Sequence, residues 1–444
     1  TLSSSSAASD VYKRQEKEGK LIYSYDGETV CIEAWGKDAL RVRATKNRSF
    51  TGRDWALEAK DAHAGEVEIF EDPSAKGGAF ANMYEGTDTS YGKITNGKLH
   101  AVIDSGSVIT FYHEDGRVLL KEHFRRLRDE ESMPLNIMGR EYSNGVGDNF
   151  RIVARFVARK GEKIFGMGQY QQHELDLKGC MLELAQRNSQ VSVPFYLSSI
   201  GYGFLWNNPG VGQVMFANNG TEWVTESGKE IDYLVIAGDT PAEIEENYMT
   251  LTGKPPMMPE YGMGFWQCKL RYWNQEQLLS VARKYKELGV PLDVIVVDFF
   301  HWTKQGEFKF DPKYWPDVPG MCRELKEMGI QVVVSVWPTV DIYSENFEEM
   351  KEKGYLVRTE HGVPLTMLCG GNEVFFDATN PDARTYVWEK IKKNYYDQGA
   401  KLFWLDVAEP EYSVYDFRNY RYQLGSVQEV GNIYPKSVSY THLT

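Results

Sequence analysis

The sequence predicts an N-terminal antiparallel β-sandwich followed by an α/β part with the strand and helix order of a (β/α)8 TIM barrel. Three observations lead to this fold class. Short runs of alternating apolar and polar residues fill residues 20–237. Pro255, Pro256 and Pro259 then interrupt the chain. Beyond Glu260 the pattern changes to helix, glycine and buried strand, repeated along the chain.

The runs in the first part have the length of strands and are separated by turn residues. LIYSYDGETVCIEAW, GKITNGKLHAVID and SVITFYHEDGRVLL alternate with a period of two, which is typical of strands with one buried face. The dipeptides Asn96-Gly97 and Asp115-Gly116 favour hairpin turns. Residues 163–195 are rich in Gly, Gln, Asn and Asp, which indicates a long functional loop.

Four buried apolar runs in the second part are predicted to be parallel strands, at about residues 262–267, 293–299, 331–337 and 402–406. Helices are predicted before the last three, at about residues 274–289, 317–328 and 381–398. This order favours the first half of a barrel. A doubly wound open sheet is the alternative, but no Gly-rich phosphate turn follows any of these strands.

These patterns divide the chain into four segments. Residues 16–254 are expected to form the sandwich with a short C-terminal helix from about Thr240 to Gly253, and residues 255–436 the first half of the catalytic barrel. Residues 1–15 and 437–444 resemble translated sequencing-library adapters, so we expect non-native tails and a gene fragment that was cut at both ends.

Charge and hydropathy restrict the partners. The net charge of the 444 residues is −13, which disfavours nucleic acid and anionic membrane surfaces because either would need a basic face. No apolar run approaches the roughly 20 residues that span a bilayer, and no leader precedes the first strand. A soluble, cytoplasmic protein is expected.

Five cysteines are scattered along the sequence without a CxxC motif or a Cys-His cluster. This arrangement predicts neither disulfides nor zinc, and buried free thiols are expected. His173 and His301 have no second ligand at metal-binding spacing, so no metal or cofactor is predicted. The cysteines are Cys31, Cys180, Cys268, Cys322 and Cys369.

Two carboxylates follow the last apolar run. Leu402–Leu405 indicates a strand buried on both faces, Asp406 ends it, and Glu409 follows three residues later. In parallel α/β folds the C-terminal ends of the strands form the ligand-binding face. Asp298 ends another predicted strand on the same rim. From the residues alone, a solvated or capping loop acid is an equally good interpretation of Asp406.

The segment WLDVAEP resembles the nucleophile motif Trp-x-Asp-x-x-Glu of family 31 of the glycoside hydrolases, the α-glucosidase and α-xylosidase family. VIVVDFFHW, FKFDPKYWPD and VVSVWPTVDIYSENF are similar to its α-xylosidase branch, and the resemblance covers about residues 20–434. It implies a galactose-mutarotase-like sandwich and a (β/α)8 barrel, which this sequence leaves incomplete. It also implies a retaining exo-glycosidase without cofactor or metal.

The resemblance assigns roles to individual residues. Asp406 is the expected nucleophile, and Glu409 is the second acid of the motif, which supports Asp406 electrostatically. The family's acid/base lies well downstream, outside the given sequence, so the fragment alone is expected to be inactive and poorly soluble. The residues expected to contact the sugar are Asp298, Phe299, Trp337, Trp404 and Asn188. The core is the alternative place for Phe299 and an equally good place for Trp337.

The predicted substrate is an α-linked oligosaccharide or xyloside with a terminal non-reducing xylose. Xylose lacks the exocyclic CH2OH of glucose, and Phe299 is expected to supply bulk where a glucosidase leaves room. The alternatives are an α-glucosidase or an α-glycosyltransferase of the same family, and a carbohydrate-binding fragment as the non-enzyme. A homo-oligomer is considered for the full-length form.

Overall fold

The structure is a computed structural model that divides into two compact units. The first unit comprises Thr1–Ala185 and Ser189–Pro255, and the second comprises Gln186–Asn188 and Pro256–Thr444. Each unit is described separately. The structure describes residues 12–58, 61–72, 89–127, 135–360, 372–410 and 417–440.

Within its described residues, the first unit consists of strands and one α-helix, α1 (Pro241–Thr252). Its strands are β1 (Tyr12–Lys17), β2 (Lys20–Tyr25), β3 (Glu28–Trp35), β4 (Ala39–Thr45), β5 (Ala62–His63), β6 (Glu66–Phe70), β7 (Tyr91–Asn96), β8 (Leu99–Asp104), β9 (Ile109–His113), β10 (Val118–Lys121), β11 (Arg125–Leu127), β12 (Leu135–Ile137), β13 (Arg140–Asn144), β14 (Phe150–Phe156), β15 (Ile164–Gln169), β16 (Met181–Leu184), β17 (Val191–Ser198), β18 (Tyr202–Trp206), β19 (Gly212–Ala217), β20 (Gly220–Gly228) and β21 (Ile231–Ala237).

Three antiparallel sheets make up most of this unit. A nine-stranded sheet has the order β1-β2-β3-β4-β21-β18-β17-β15, with β5 paired to β3. Two five-stranded sheets have the orders β10-β9-β8-β7-β6 and β13-β14-β20-β19-β16. Val42, Phe111 and Trp223, one from each sheet, belong to the same buried cluster. The sheets therefore pack face to face around one apolar core, which is the sandwich that the period-two alternation predicts.

Both predicted hairpins are confirmed. In the first, Asn96 pairs with Leu99 across the turn between β7 and β8, and Gly97 has a φ of +55°. In the second, β9 and β10 pair as antiparallel neighbours, and Gly116 in the turn has a φ of +86°. Gly has no Cβ, so it adopts these positive φ values without a steric penalty.

Helix α1 covers the face of the nine-stranded sheet that the main core leaves open. Its N-cap, Thr240, accepts a hydrogen bond from the backbone of Glu243, and Gly253 ends it. Ile244 and Leu251 are buried in a second apolar cluster formed with residues of the nine-stranded sheet. The helix predicted between Thr240 and Gly253 is thus confirmed.

The second unit alternates helices and strands. Its helices are α2 (Gln275–Glu287), α3 (Val318–Glu327), α4 (Phe347–Glu352), α5 (Pro381–Ile391), α6 (Val427–Val430) and α7 (Tyr434–Tyr440). Its strands are β22 (Trp266–Gln267), β23 (Val294–Val297), β24 (Gln331–Val336), β25 (Thr339–Asp341), β26 (Arg358–Thr359), β27 (Glu373–Phe375), β28 (Leu402–Leu405) and β29 (Tyr420–Arg421). No helix in the described ranges combines the length and apolar character needed to cross a bilayer.

A parallel sheet of four strands has the order β22-β23-β24-β28. Its strands therefore follow one another in chain order, as in a (β/α)8 barrel, without the reversal of order that marks a doubly wound sheet. Gly289, Gly329 and Gly399 lie between a helix and the next strand and have positive φ values, as the repeated pattern of helix, glycine and strand predicts. The sheet is not closed into a barrel within the described residues.

Some predicted boundaries are wrong because local turns end the elements early. The first parallel strand is only Trp266–Gln267, since a 3-10 helix, Glu260–Met263, precedes it. The helix predicted up to residue 398 is α-helical only to Ile391, and a π-helical turn, Lys392–Tyr396, follows.

The interpretation of Leu402–Leu405 as a strand buried on both faces is also wrong. Phe403 lies close to the rings of Trp388 and Tyr395, whereas Trp404 is 50% exposed. Within the described residues β28 pairs only with β24, so β28 is an edge strand of this sheet there. Trp404 and Leu405 line part of a cavity of about 420 Å³.

Candidate active site

Asp298 and Asp406 lie at the same edge of the parallel sheet. Asp298 follows β23 and Asp406 follows β28, and β24 lies between these two strands. Because the strands are parallel, their carboxyl ends meet at one rim. Burial is the main cause that raises the pKa of Asp406, and the negative charge of Asp298 adds to the rise, as expected for two carboxylates near each other.

Hydrogen-bond donors hold the Asp406 carboxylate on both oxygens. The indole Nε1 of Trp337 donates to Oδ2 at 3.1 Å, and the backbone N–H of Val407 donates to Oδ1 at 3.1 Å. The Trp404 side chain also hydrogen-bonds to the carboxylate. Burial is the largest influence and raises the pKa of Asp406 above its usual value, while these donors oppose the rise.

The Asp298 side chain is fixed in a similar way. Its Oδ1 accepts a hydrogen bond from the backbone N–H of Phe299 at 2.8 Å, and its Oδ2 lies 3.4 Å from the thiol of Cys268. Each of the two aspartates therefore accepts a hydrogen bond from the backbone N–H of the residue that follows it, and this bond fixes the orientation of the carboxylate.

Aromatic rings connect the two acids. The Phe299 ring lies 5.5 Å from the Trp337 ring and 4.6 Å from the Phe300 ring, measured between centroids. Trp337 also contacts Trp302, at 5.8 Å. Trp337 therefore lies beside Asp406, and Phe299 packs on Trp337. The core is the alternative position for both rings, but the buried cluster of Val294, Val296 and Val333 does not include them.

The backbone is strained next to both acids. Val407, directly after Asp406, has a φ of +58°, and Phe300, two residues after Asp298, has a φ of +61°. A positive φ is a steric outlier for a β-branched or bulky residue, and such strain clusters at functional sites. Sequence reasoning missed both positions because no Gly or Asn marks them.

His301 fixes the loop behind Asp298. Its side chain is fully buried, with Nδ1 at 2.9 Å from the carbonyl oxygen of Asp298 and Nε2 at 2.9 Å from the Tyr395 hydroxyl. Burial lowers the pKa of His301 to about 4, so the ring is neutral near pH 7. Across the residues that the structure describes, no group of three or more His, Cys, Asp or Glu side chains is placed to hold a metal ion.

The remaining predicted site residues lie in the same unit. Glu409 is partly buried in the turn after Asp406. Asn188 belongs to the short segment Gln186–Asn188, which is grouped with the second unit. Both residues make contacts. Their roles in the site stay predictions.

The expectation of buried thiols holds for Cys31 but is wrong for Cys268, which is exposed. Cys268 directly follows the short strand β22 and so lies at the rim beside Asp298 rather than in the core. Cys180 and Cys322 are half-buried. Cys369 lies outside the described residues.

Comparison with known proteins relates the chain to carbohydrate enzymes. Residues 255–442 match the TIM-barrel domain of the glycosyl hydrolases family 31. An uncharacterized family 31 glucosidase of Pseudescherichia vulneris is 45% identical over 432 residues, which cover 95% of this chain and 78% of that protein. Alpha-xylosidase A of Aspergillus niger is 30% identical over 443 residues, which cover 92% of this chain and 58% of that protein.

A solved structure is similar along nearly the whole chain. The crystal structure of a family 31 alpha-xylosidase from a soil metagenome, complexed with xylose, superposes with a TM-score of 0.89 at 49% identity. The match covers 97% of this chain and 62% of that chain. The chain therefore spans less than two thirds of the length of both α-xylosidases.

Proposed function

The chain belongs to family 31 of the glycoside hydrolases, enzymes that act on O-glycosyl bonds, and on this premise we propose that it is a retaining α-xylosidase. Its substrate is a terminal, non-reducing α-linked xylose. The observation that carries the proposal is the Asp406 carboxylate, which Trp337 and Val407 orient beside Asp298 at the rim of the sheet. The α-xylosidase names of two similar proteins favour xylose.

In the proposed mechanism, Asp406 attacks the anomeric carbon and forms a covalent xylosyl-enzyme. The glycosidic oxygen leaves with a proton from a general acid, and water then releases xylose by attack at the same carbon. Only the ionised form of Asp406 is a nucleophile. Because burial and Asp298 raise the pKa of Asp406, we expect activity to fall on the acid side at a higher pH than for an exposed aspartate.

Asp298 and its neighbours supply recognition in this proposal. The Asp298 oxygens have lone pairs left after the contacts with Phe299 and Cys268, and these accept hydrogen bonds from sugar hydroxyls. Phe299, packed on Trp337, fills the space that the exocyclic CH2OH of glucose would need. Glu409 adds negative charge that stabilises the developing positive charge on the sugar ring.

The first prediction tests sugar preference with α-xylosyl fluoride and α-glucosyl fluoride. Fluoride leaves without a proton, so these substrates test the nucleophile and the pocket independently of a general acid. In the full-length protein, we expect faster fluoride release from the xylosyl compound. Phe299→Ala should narrow the preference by roughly 10-fold, because a hydrophobic pocket discriminates one such group by about 1 to 3 kcal/mol.

Phe347→Ala is the matched control, since Phe347 begins α4 and makes no ring contact with Trp337 or Phe299 among the described residues. The control should leave the preference unchanged. If Phe299→Ala lowers only the melting temperature, Phe299 is a packing residue. A wild-type preference for the glucosyl compound would favour the α-glucosidase alternative, which the name of one relative also supports.

A further inference from the structure

The buried side chain of Tyr395 contacts both the loop after β23 and the strand β28. Its hydroxyl lies 2.9 Å from Nε2 of His301, whose Nδ1 lies 2.9 Å from the carbonyl oxygen of Asp298. The Tyr395 ring also lies 6.5 Å from the ring of Phe403, measured between centroids. Phe403 belongs to β28, the strand that Asp406 follows. One side chain therefore contacts the supports of both acids.

The partners of His301 determine which ring nitrogen carries the proton. The carbonyl oxygen of Asp298 can only accept a hydrogen bond, so Nδ1 is the donor. A neutral imidazole has a single N–H, so Nε2 accepts a hydrogen bond and the Tyr395 hydroxyl donates it. The Asp298 carbonyl is therefore the last acceptor in a chain of two hydrogen bonds that begins at the Tyr395 hydroxyl.

His301 also reaches Asp406 through aromatic contacts. Its ring centroid lies 4.8 Å from that of Trp302, and the Trp302 ring lies 5.8 Å from the Trp337 ring. The Trp337 indole donates a hydrogen bond to the Asp406 carboxylate. His301 therefore supports, through Trp302, the residue that orients the proposed nucleophile.

A π-helical turn carries Tyr395. This turn, Lys392–Tyr396, follows α5, and the backbone N–H of Asp397 donates to the carbonyl oxygen of Lys392, five residues earlier, at 2.8 Å. The turn contains one residue more than an α-helical turn, and such turns are rare and occur frequently at functional sites. Here the turn contains the residue whose hydroxyl reaches His301.

The hydrogen bond between His301 and Asp298 spans a strained residue. Phe300 lies between them in the sequence and has a φ of +61°. A bulky residue keeps such a conformation only where its surroundings hold it. The Asp298 carbonyl is tied to His301, and His301 is tied to Tyr395. Loss of the Tyr395 hydroxyl should therefore let this loop relax and displace Asp298.

We propose that Tyr395 and His301 are positioning residues, which hold Asp298 in place relative to Asp406 so that both acids act on the same xylose unit. This inference rests on the proposed function and deepens it, because it adds two residues that act on the sugar only through Asp298. Both side chains are buried behind the rim and do not touch the substrate. Their contribution is the placement of the Asp298 carboxylate.

The test is a double-mutant cycle in the full-length protein, measured by fluoride release from α-xylosyl fluoride. Tyr395→Phe removes the hydroxyl and keeps the ring that packs on Phe403. We expect kcat/KM to fall about tenfold, mainly through a higher KM, because Asp298 binds sugar hydroxyls in the proposed function. In an Asp298→Asn background, Tyr395→Phe should cause no further loss, because the two changes remove the same contribution.

Tyr434→Phe is the matched control. Tyr434 is also fully buried in the second unit, and its hydroxyl donates to the carbonyl oxygen of Phe376 at 2.7 Å. This variant should leave kcat/KM and KM unchanged. The inference is overturned if Tyr395→Phe behaves like the wild type, if its loss multiplies with that of Asp298→Asn, or if Tyr434→Phe causes the same loss.

Two further measurements cover variants that fold poorly or react too slowly for turnover. His301→Phe keeps a ring and removes both hydrogen bonds, and it should give at least the loss expected for Tyr395→Phe. The rate of covalent labelling by 5-fluoro-α-xylosyl fluoride, followed by mass spectrometry, reports the same double-mutant cycle. A wild-type protein that neither releases fluoride nor takes the label overturns the proposed function. An active wild type with multiplicative losses overturns only the positioning role.

Discussion

At the scale of single residues, the protonation of His301 is expected to make the free energy of unfolding depend on pH. Burial lowers its pKa in the folded protein to about 4, from an ordinary value of 6.5. A depressed folded pKa means that the contribution to stability is complete above the unfolded pKa and is lost as the pH falls toward the folded pKa. The free energy of unfolding should therefore decrease by about 2 kcal/mol between pH 7 and pH 5 because of this residue.

His301→Gln removes the titrating ring and keeps polar atoms near Asp298 and Tyr395. We expect this variant to be less stable at pH 7 and to lose less stability on acidification. Urea unfolding at pH 7 and pH 5 measures both quantities. An unchanged pH dependence would show that His301 is not the residue that protonates on unfolding.

At the same scale, sequence reasoning predicted that two acids follow parallel strands, which the structure confirms, and it missed the contacts that hold them. Asp298 and Asp406 could be predicted because each ends a short apolar run. The indole bond from Trp337 and the thiol of Cys268 near Asp298 depend on the pairing of three strands. Contacts between residues so distant in sequence leave no local pattern in a single chain.

At the scale of elements, the two-stranded sheet of β25 and β27 contains an acid with a raised pKa. Glu373 pairs with Asp341 across the two strands, and its Oε2 is buried without a hydrogen bond. Burial is the main cause that raises the pKa of Glu373 to about 7, and the charge of Asp341 adds to the rise. A hydrogen bond from Thr339 opposes the rise. Folding therefore favours the protonated side chain.

A raised folded pKa gives stability that is fully present below the unfolded pKa of 4.5 and is lost as the pH rises through about 7. Glu373→Gln mimics the protonated acid. We expect it to increase the free energy of unfolding by about 2 kcal/mol at pH 8 and to change it little at pH 5. Thermal unfolding at the two pH values measures this, with the exposed Glu348→Gln on α4 as control. A loss of stability at pH 8 would contradict the prediction.

The elements differ in how well the sequence predicts them. Helices α1 and α2 have side-chain caps, Thr240 and Asn274, and glycines follow them, so their ends were predicted closely. Helix α4 and the two-stranded sheet of β25 and β27 were not predicted. They lie in the long excursion after β24, where six or fewer residues per element show no clear period.

At the scale of the whole molecule, the change from period-two runs to repeated helices and strands predicted the two kinds of architecture. Strand order supports the barrel, because β22, β23, β24 and β28 are neighbours in chain order. Burial could not be predicted for β28, since the same apolar run fits a strand with neighbours on both sides and a strand at an edge. Apolar composition fixes what a strand can bury, and its neighbours decide what it does bury.

The central claim is that Asp406 forms a covalent bond to xylose, and trapping tests it most directly. We expect 5-fluoro-α-xylosyl fluoride to label the full-length protein with one sugar, because the added fluorine slows breakdown of the intermediate. Mass spectrometry of the digested protein should place this sugar on Asp406, and Asp406→Ala should remain unlabelled. A label on Glu409 or on another carboxylate, or fluoride release that persists in Asp406→Ala, would contradict the claim.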